Sequence, residues 1–197
     1  MVLRPSKGAK HLARTAGWWY VANIVTGATA AVVSMRELQA FANMTNIVAT
    51  VAYIVVTVLL FQLFRPVNER VSLVASLFSF AGCIASVVGV FGLLPKHISP
   101  LIFFGAYCLL IGYLIMQSWF LPKILGGLLV IGGLGWLTFA SPALSKQLFP
   151  YNMGPGIISE TLFTLWLVTR GLNEPRWEEQ AKTAEAQRSA LKTNSAA

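Results

Sequence analysis

Polar residues interrupt this chain at only a few places. Between the interruptions run six stretches of nearly unbroken apolar side chains, over residues 18–34, 46–64, 71–94, 100–117, 122–140 and 155–171. Each comes close to the roughly 20 residues an α-helix needs to cross the hydrocarbon core of a bilayer. Lipid offers no partner to a free backbone N–H or C=O, so stretches of this length predict helices and not open strands. The expected fold is all-α: a polytopic bundle of about six transmembrane helices over 18–172, between a basic N-terminal tail (1–17) and a C-terminal tail (173–197).

The interruptions carry helix signals. Ser34 and Glu37 have capping-box spacing, which predicts a start for the second helix near Met35, above the membrane. Pro66 stops that helix, and Asn68 is placed to cap the third. The turn between them is so short that the two helices must be antiparallel neighbours. Pro95, Lys96 and His97 mark the next turn, Pro122 is placed to open the fifth span, and 141–154, rich in Pro and polar residues, predicts the longest internal loop. The segment after Gly171 reads as a solvent-exposed helix. In the first stretch Ala28-Thr29-Ala30 fits a signal-peptide cleavage pattern, whereas Trp18, Trp19 and Tyr20 beside a basic tail favour the interfacial anchor of a retained helix.

Composition narrows the class. Hydrophobic residues make up 56% of the chain and charged residues 11%, against about 25% charged in a globular domain, so there is no room for a second, soluble domain. The net charge of +8 raises nucleic acid as a partner, but the Lys and Arg residues lie in tails and loops and not on one amphipathic face. With the N-terminus inside, all of them except Arg36, Lys96 and Lys146 fall on one side, which predicts that both termini are cytoplasmic. The same placement points to anionic lipid headgroups as partners, with no nucleic acid. Arg65, Arg70, Lys123 and Arg170, near Trp119, Phe120 and Trp177, are the headgroup candidates, by general anchoring or by a specific anionic lipid.

Helices in lipid associate where small residues let backbones approach. Such residues recur every seven positions: Ala75, Gly82 and Gly89 in the third span, Gly105 and Gly112 in the fourth, Gly126, Gly133 and Ala140 in the fifth. This period keeps each set on one face and suits a left-handed crossing. The plain reading is helix contact; the sharper ones are a ligand groove, or a face that docks a membrane partner or a second copy. Cys83 and Cys108 sit in apolar runs and read as buried structural thiols.

Chemistry is scarce. The chain has no Asp and 7 Glu, and His11 and His97 are predicted on opposite faces, so neither a metal cluster nor a Ser-His-Asp triad can be assembled and no cofactor is implied. An ionisable residue inside a span is a functional candidate by default, and Glu160, about five residues into the last span, is the clear case. It could take a proton or hold a cation, or it could snorkel to the outer surface. Thr164, Asn23, Tyr53, Tyr107 and Trp136 are polar groups that could share its cavity or serve only in packing.

Three stretches, Phe61 to Leu73, Ile102 to Leu137 and Ile158 to Trp177, resemble the membrane family catalogued as domain of unknown function 4386. The marks are Phe103-Phe104-Gly105, Gly112 to Ile115 and Leu121 to Gly126; Gln117 departs from the pattern, where an Arg commonly precedes the Ser. The resemblance implies a multi-span protein of the bacterial cytoplasmic membrane with no established reaction. Together with the residues it supports a small carrier, sensor or lipid-binding component without an enzyme active site. A structural subunit and a lipid-modifying enzyme are the alternatives.

Overall fold

The computed structural model describes residues 8–36, 38–95 and 98–195, with side chains up to 190. Among the described residues the chain is all helical, without a strand. The helices are α1 (Ala9–Ser34), α2 (Gln39–Phe64), α3 (Glu69–Val90), α4 (Pro100–Gln117), α5 (Lys123–Leu137), α6 (Pro142–Leu148), α7 (Met153–Thr169) and α8 (Glu174–Ser195), with a 3-10 turn at Thr138–Ala140 extending α5. Four of them, α2, α3, α4 and α5 with its extension, are long and apolar enough to cross a membrane.

Six helices close into a ring. Each packs on its neighbours in the order α1, α2, α3, α4, α5, α7, and α7 completes the circle on α1. Successive members are antiparallel, so the late ends of α1, α3 and α5 share one rim with the early ends of α2, α4 and α7. The start of α1 and the whole of α8 lie at the opposite rim, where Arg14 reaches the carbonyl of Thr169 at 3.2 Å.

Local chemistry sets the helix ends. The Asn68 side chain accepts from Val71 N at 3.1 Å and caps α3, and Ser99 accepts from Leu101 N at 3.3 Å, with Pro100 opening α4. Helix α3 stops at Val90, short of the expected 94, because Gly92 turns left-handed at φ 70°. Gly92 N then donates to Gly89 O at 3.0 Å and Leu93 N to Val88 O at 3.1 Å, which satisfies carbonyls the helix end would leave free.

Four expectations need correction. Ser34 does not cap the second helix: it is the last residue of α1, which stays apolar up to that point, and α2 begins only at Gln39; Glu37 lies outside the described residues. The N-terminal tail does not run to Gly17, because α1 starts at Ala9 and buries Ala9, Ala13, Ala16 and Gly17 at helical spacing. The loop over 141–154 contains α6, capped by Ser141, whose hydroxyl accepts from Leu144 N at 3.4 Å, with Pro142 at the first helical position.

The C-terminal helix is docked and not free in solvent. Trp177 is buried and its indole N–H donates to Leu63 O at 2.9 Å; Gln180 accepts from Trp119 N at 3.0 Å; Arg188 meets Glu69 at 2.8 Å. At this rim the inside of the ring is filled by Leu60, Leu63, Phe64, Leu114, Ile115 and Leu167, each 0–1% exposed.

Candidate functional site

The other half of the ring is not filled, and Glu160 sits where the filling ends. It is the eighth residue of α7, which places it about 10 Å along the axis, deeper than the sequence suggested. Oε2 accepts from the Tyr20 hydroxyl at 2.7 Å, and Oε1 accepts from Trp136 Nε1 at 2.7 Å and from Cys108 Sγ at 3.7 Å. Residues from α1, α4 and α5 thus converge on a carboxyl from α7. The Tyr20 hydroxyl, the Trp136 indole N–H and the Cys108 thiol surround one carboxyl. The side chain is held inside the ring, so it does not snorkel. No basic residue meets it: among the described residues the ion pairs are Arg65–Glu69 and Arg188–Glu69, both at the far rim.

Packing positions the donors. A side chain at Gly156 would run into the Trp136 indole, so that glycine, one helical turn before Glu160, makes room for the ring that bonds it. Tyr20 is fixed edge-on between Tyr53, with ring centres 5.6 Å apart, and Phe163, at 6.4 Å.

Above the carboxyl lies a cavity of about 380 Å³. One wall carries Asn23, Gly27, Ala28 and Ala31 of α1, small residues past the first turn; facing it are Asn46, Thr50 and Tyr53 of α2 and Phe104 of α4. Trp136, Glu160 and Thr161 complete the floor and side. Apart from Tyr53 and Thr161, which lie near the middle of their helices, these residues belong to the halves that share the rim away from the termini, so the cavity forms a cup in that half of the ring. Asn23 lines it and also ties α1 to α2 by donating to Ala49 O at 3.0 Å. Tyr107 and Thr164 are buried but do not line it. The hydroxyls of Tyr53 and Tyr107 lean towards Tyr20 and Thr57 without completing a well-aligned hydrogen bond, and the Thr164 hydroxyl has no partner among the described residues.

The glycines separate into two groups. Gly105 lies against Gly133, and Gly112 against Gly126: a Cβ added to any of the four would stand 2.6–2.9 Å from the carbonyl oxygen of its opposite number. These four residues let α4 and α5 touch backbone to backbone. A Cβ added to Gly82 would stand 2.7 Å from the Phe104 ring, while Gly89 is exposed and a Cβ there would meet only Leu94, at 3.8 Å. The doublet at 132–133 serves two faces, since Gly132 accommodates Ser159 of α7 while Gly133 faces α4. Of the basic rim, Arg65 pairs with Glu69 at 2.7 Å, Arg70 is exposed, and Lys123 and Arg170 border hollows beneath the α4–α5 turn. Among the described residues no three His, Cys, Asp or Glu side chains gather as a metal site.

Residues 96–171 match the family described as "Domain of unknown function (DUF4386)". An uncharacterized protein of Archaeoglobus fulgidus is 31% identical over 125 residues, 60% of this chain and 76% of that protein. This chain belongs to the DUF4386 family. The DUF4386 match runs through α4, α5, α6 and α7, and so contains Cys108, Trp136, Glu160 and the four paired glycines; Tyr20 and Asn23 lie outside it. No solved structure matches the chain.

Sequence reasoning assigned Tyr20 to an interfacial anchor along with Trp18 and Trp19. The two tryptophans are exposed, but Tyr20 is 2% exposed and bonds Glu160. The signal was available in the helical repeat: Tyr20 lies on the face of Ala13, Ala16 and Gly17, the small residues that α1 buries. Nothing in the sequence singled out Cys108 as a partner of the carboxyl or Asn46 as part of the cavity wall.

Proposed function

We propose that this DUF4386 protein spans the membrane six times with both termini cytoplasmic, and that its cup receives a small organic cation at Glu160, as a carrier or sensor. Six spans fit the ring, because α1 and α7 pack in it as equals of the four long apolar helices. Helix α7, with 17 residues, is about 25 Å long, at the short end of spanning helices. All six carry large exposed side chains outward, among them Val25, Val51, Leu77, Tyr113, Ile131 and Ile158. So much contiguous apolar surface suits lipid and not water.

The observation that carries the ligand reading is an unpaired carboxyl at the floor of the cup. A charge taken out of water is costly unless it is paired. A ligand cation would supply the pair, and the rings of Tyr53, Phe104 and Trp136 would favour it further. A volume of about 380 Å³ lies within the range of small-molecule sites. The docking alternative loses its basis at Gly105, Gly112, Gly126 and Gly133, whose faces α4 and α5 use on each other.

Benzyltrimethylammonium is a suitable probe, with benzyl alcohol as its neutral counterpart. In nanodiscs we expect saturable binding of the cation, at least about tenfold weaker in a folded Glu160→Gln variant, the equivalent of one lost interaction near 1.4 kcal/mol. Equal affinity in wild type and variant, or no preference for the cation over the alcohol, would overturn the reading. Uptake of the bound probe into proteoliposomes distinguishes a carrier from a sensor.

A further inference from the structure

We infer that the groove beneath the α4–α5 turn is a binding site for the phosphate of a membrane phospholipid. Two hollows, of about 400 and 510 Å³, adjoin there and share Trp119, Leu121 and Arg176. Their cations are Arg170, Arg176 and Lys123, against a single carboxylate, Glu179. None of the three cations is in an ion pair among the described residues. Arg65, by contrast, is held by Glu69, which Arg188 also reaches.

Its level in the fold selects the ligand. Helix α4 ends at Gln117, α5 begins at Lys123 and α7 ends at Thr169, so the groove lies where three apolar helices stop and headgroups begin. Trp119 is 47% exposed and Trp166 half-buried on its walls, the amphipathic rings that settle at this depth. The site is built and not incidental. Trp119 N is held by Gln180, and Asn173 N donates to Phe120 O at 3.1 Å, so α8 ties the groove to the turn above it. Arginine heads for the phosphate with aromatic and leucine walls for the chain beneath it suit a phospholipid; a free anion would leave those walls unused.

Native mass spectrometry of the detergent-purified protein tests this. Dioleoyl phosphatidylglycerol is expected to remain bound, and to bind about tenfold more weakly or worse in an Arg170→Gln/Arg176→Gln variant, in line with the worth of two basic side chains at a membrane surface. Arg65→Gln should bind like wild type. Dioleoylglycerol, with the same chains and no phosphate, should form no comparable adduct. Undiminished retention by the folded double variant, equal retention of dioleoylglycerol, or displacement of the lipid by inorganic phosphate at millimolar concentration would each overturn the inference. If the double variant fails to fold, Arg176→Gln alone is compared with Arg65→Gln under the same criteria.

Discussion

Two adjacent glycines of α5 should respond in opposite ways to the same substitution. A methyl group on Gly126 would stand 2.6 Å from Gly112 O, 2.8 Å from Met116 Cγ and 3.1 Å from Met116 N. Two of these three neighbours are backbone atoms and cannot rotate away, so α4 and α5 would have to separate by about 0.8 Å to restore ordinary contact at 3.4 Å. Overpacking of this kind costs about 1–3 kcal/mol. A methyl group on Gly127 meets nothing within 4 Å. Both changes bring the same gain in helix propensity, about 1 kcal/mol, which cancels when the variants are compared with each other. Gly126→Ala should therefore be about 1–3 kcal/mol less stable than Gly127→Ala, while Gly127→Ala should match or exceed wild type. Equilibrium unfolding in mixed micelles by a denaturing detergent, followed by far-ultraviolet circular dichroism, measures the difference. Equal midpoints for the two variants would mean that α4 and α5 do not touch at Gly126, and the register of the pair would have to be redrawn.

Tyr20→Phe keeps the ring between Tyr53 and Phe163 but removes the donor to Glu160 Oε2; we expect a loss of about 1 kcal/mol in unfolding free energy and weaker cation binding than wild type, and an unaltered value for both would remove Tyr20 from the site. Trp177→Phe leaves Leu63 O without its partner, so α8 should undock more often and be cut faster by trypsin after Arg176, Lys182 and Arg188 in nanodiscs; an unchanged cleavage rate would show that the indole bond does not hold the helix.

Much of the architecture was legible before any coordinates. Apolar runs of spanning length, broken by Pro66 and Asn68, by Pro95, Lys96 and His97, and by Pro122, located α2 to α5 because lipid leaves the backbone no choice but to bond within each helix. Glycines seven apart marked the faces on which α4 and α5 meet, since only a residue without a side chain permits that approach. The polar segment at 141–154 and the charged tail carried no apolar signal of their own, so α6 was missed and the docking of α8, which depends on Trp177 and Gln180 reaching distant backbone, was invisible. The site itself needed the tertiary structure. Tyr20 and Glu160 are 140 positions apart and meet only because α7 closes the ring on α1, and Trp136 reaches the carboxyl only because Gly156 yields space. In a bilayer every face is apolar enough to contact lipid, so hydrophobicity can say which segments enter the membrane but not which of them become neighbours. That choice rests on a few small residues and interhelical hydrogen bonds, whose partners exist only once the helices are arranged in space.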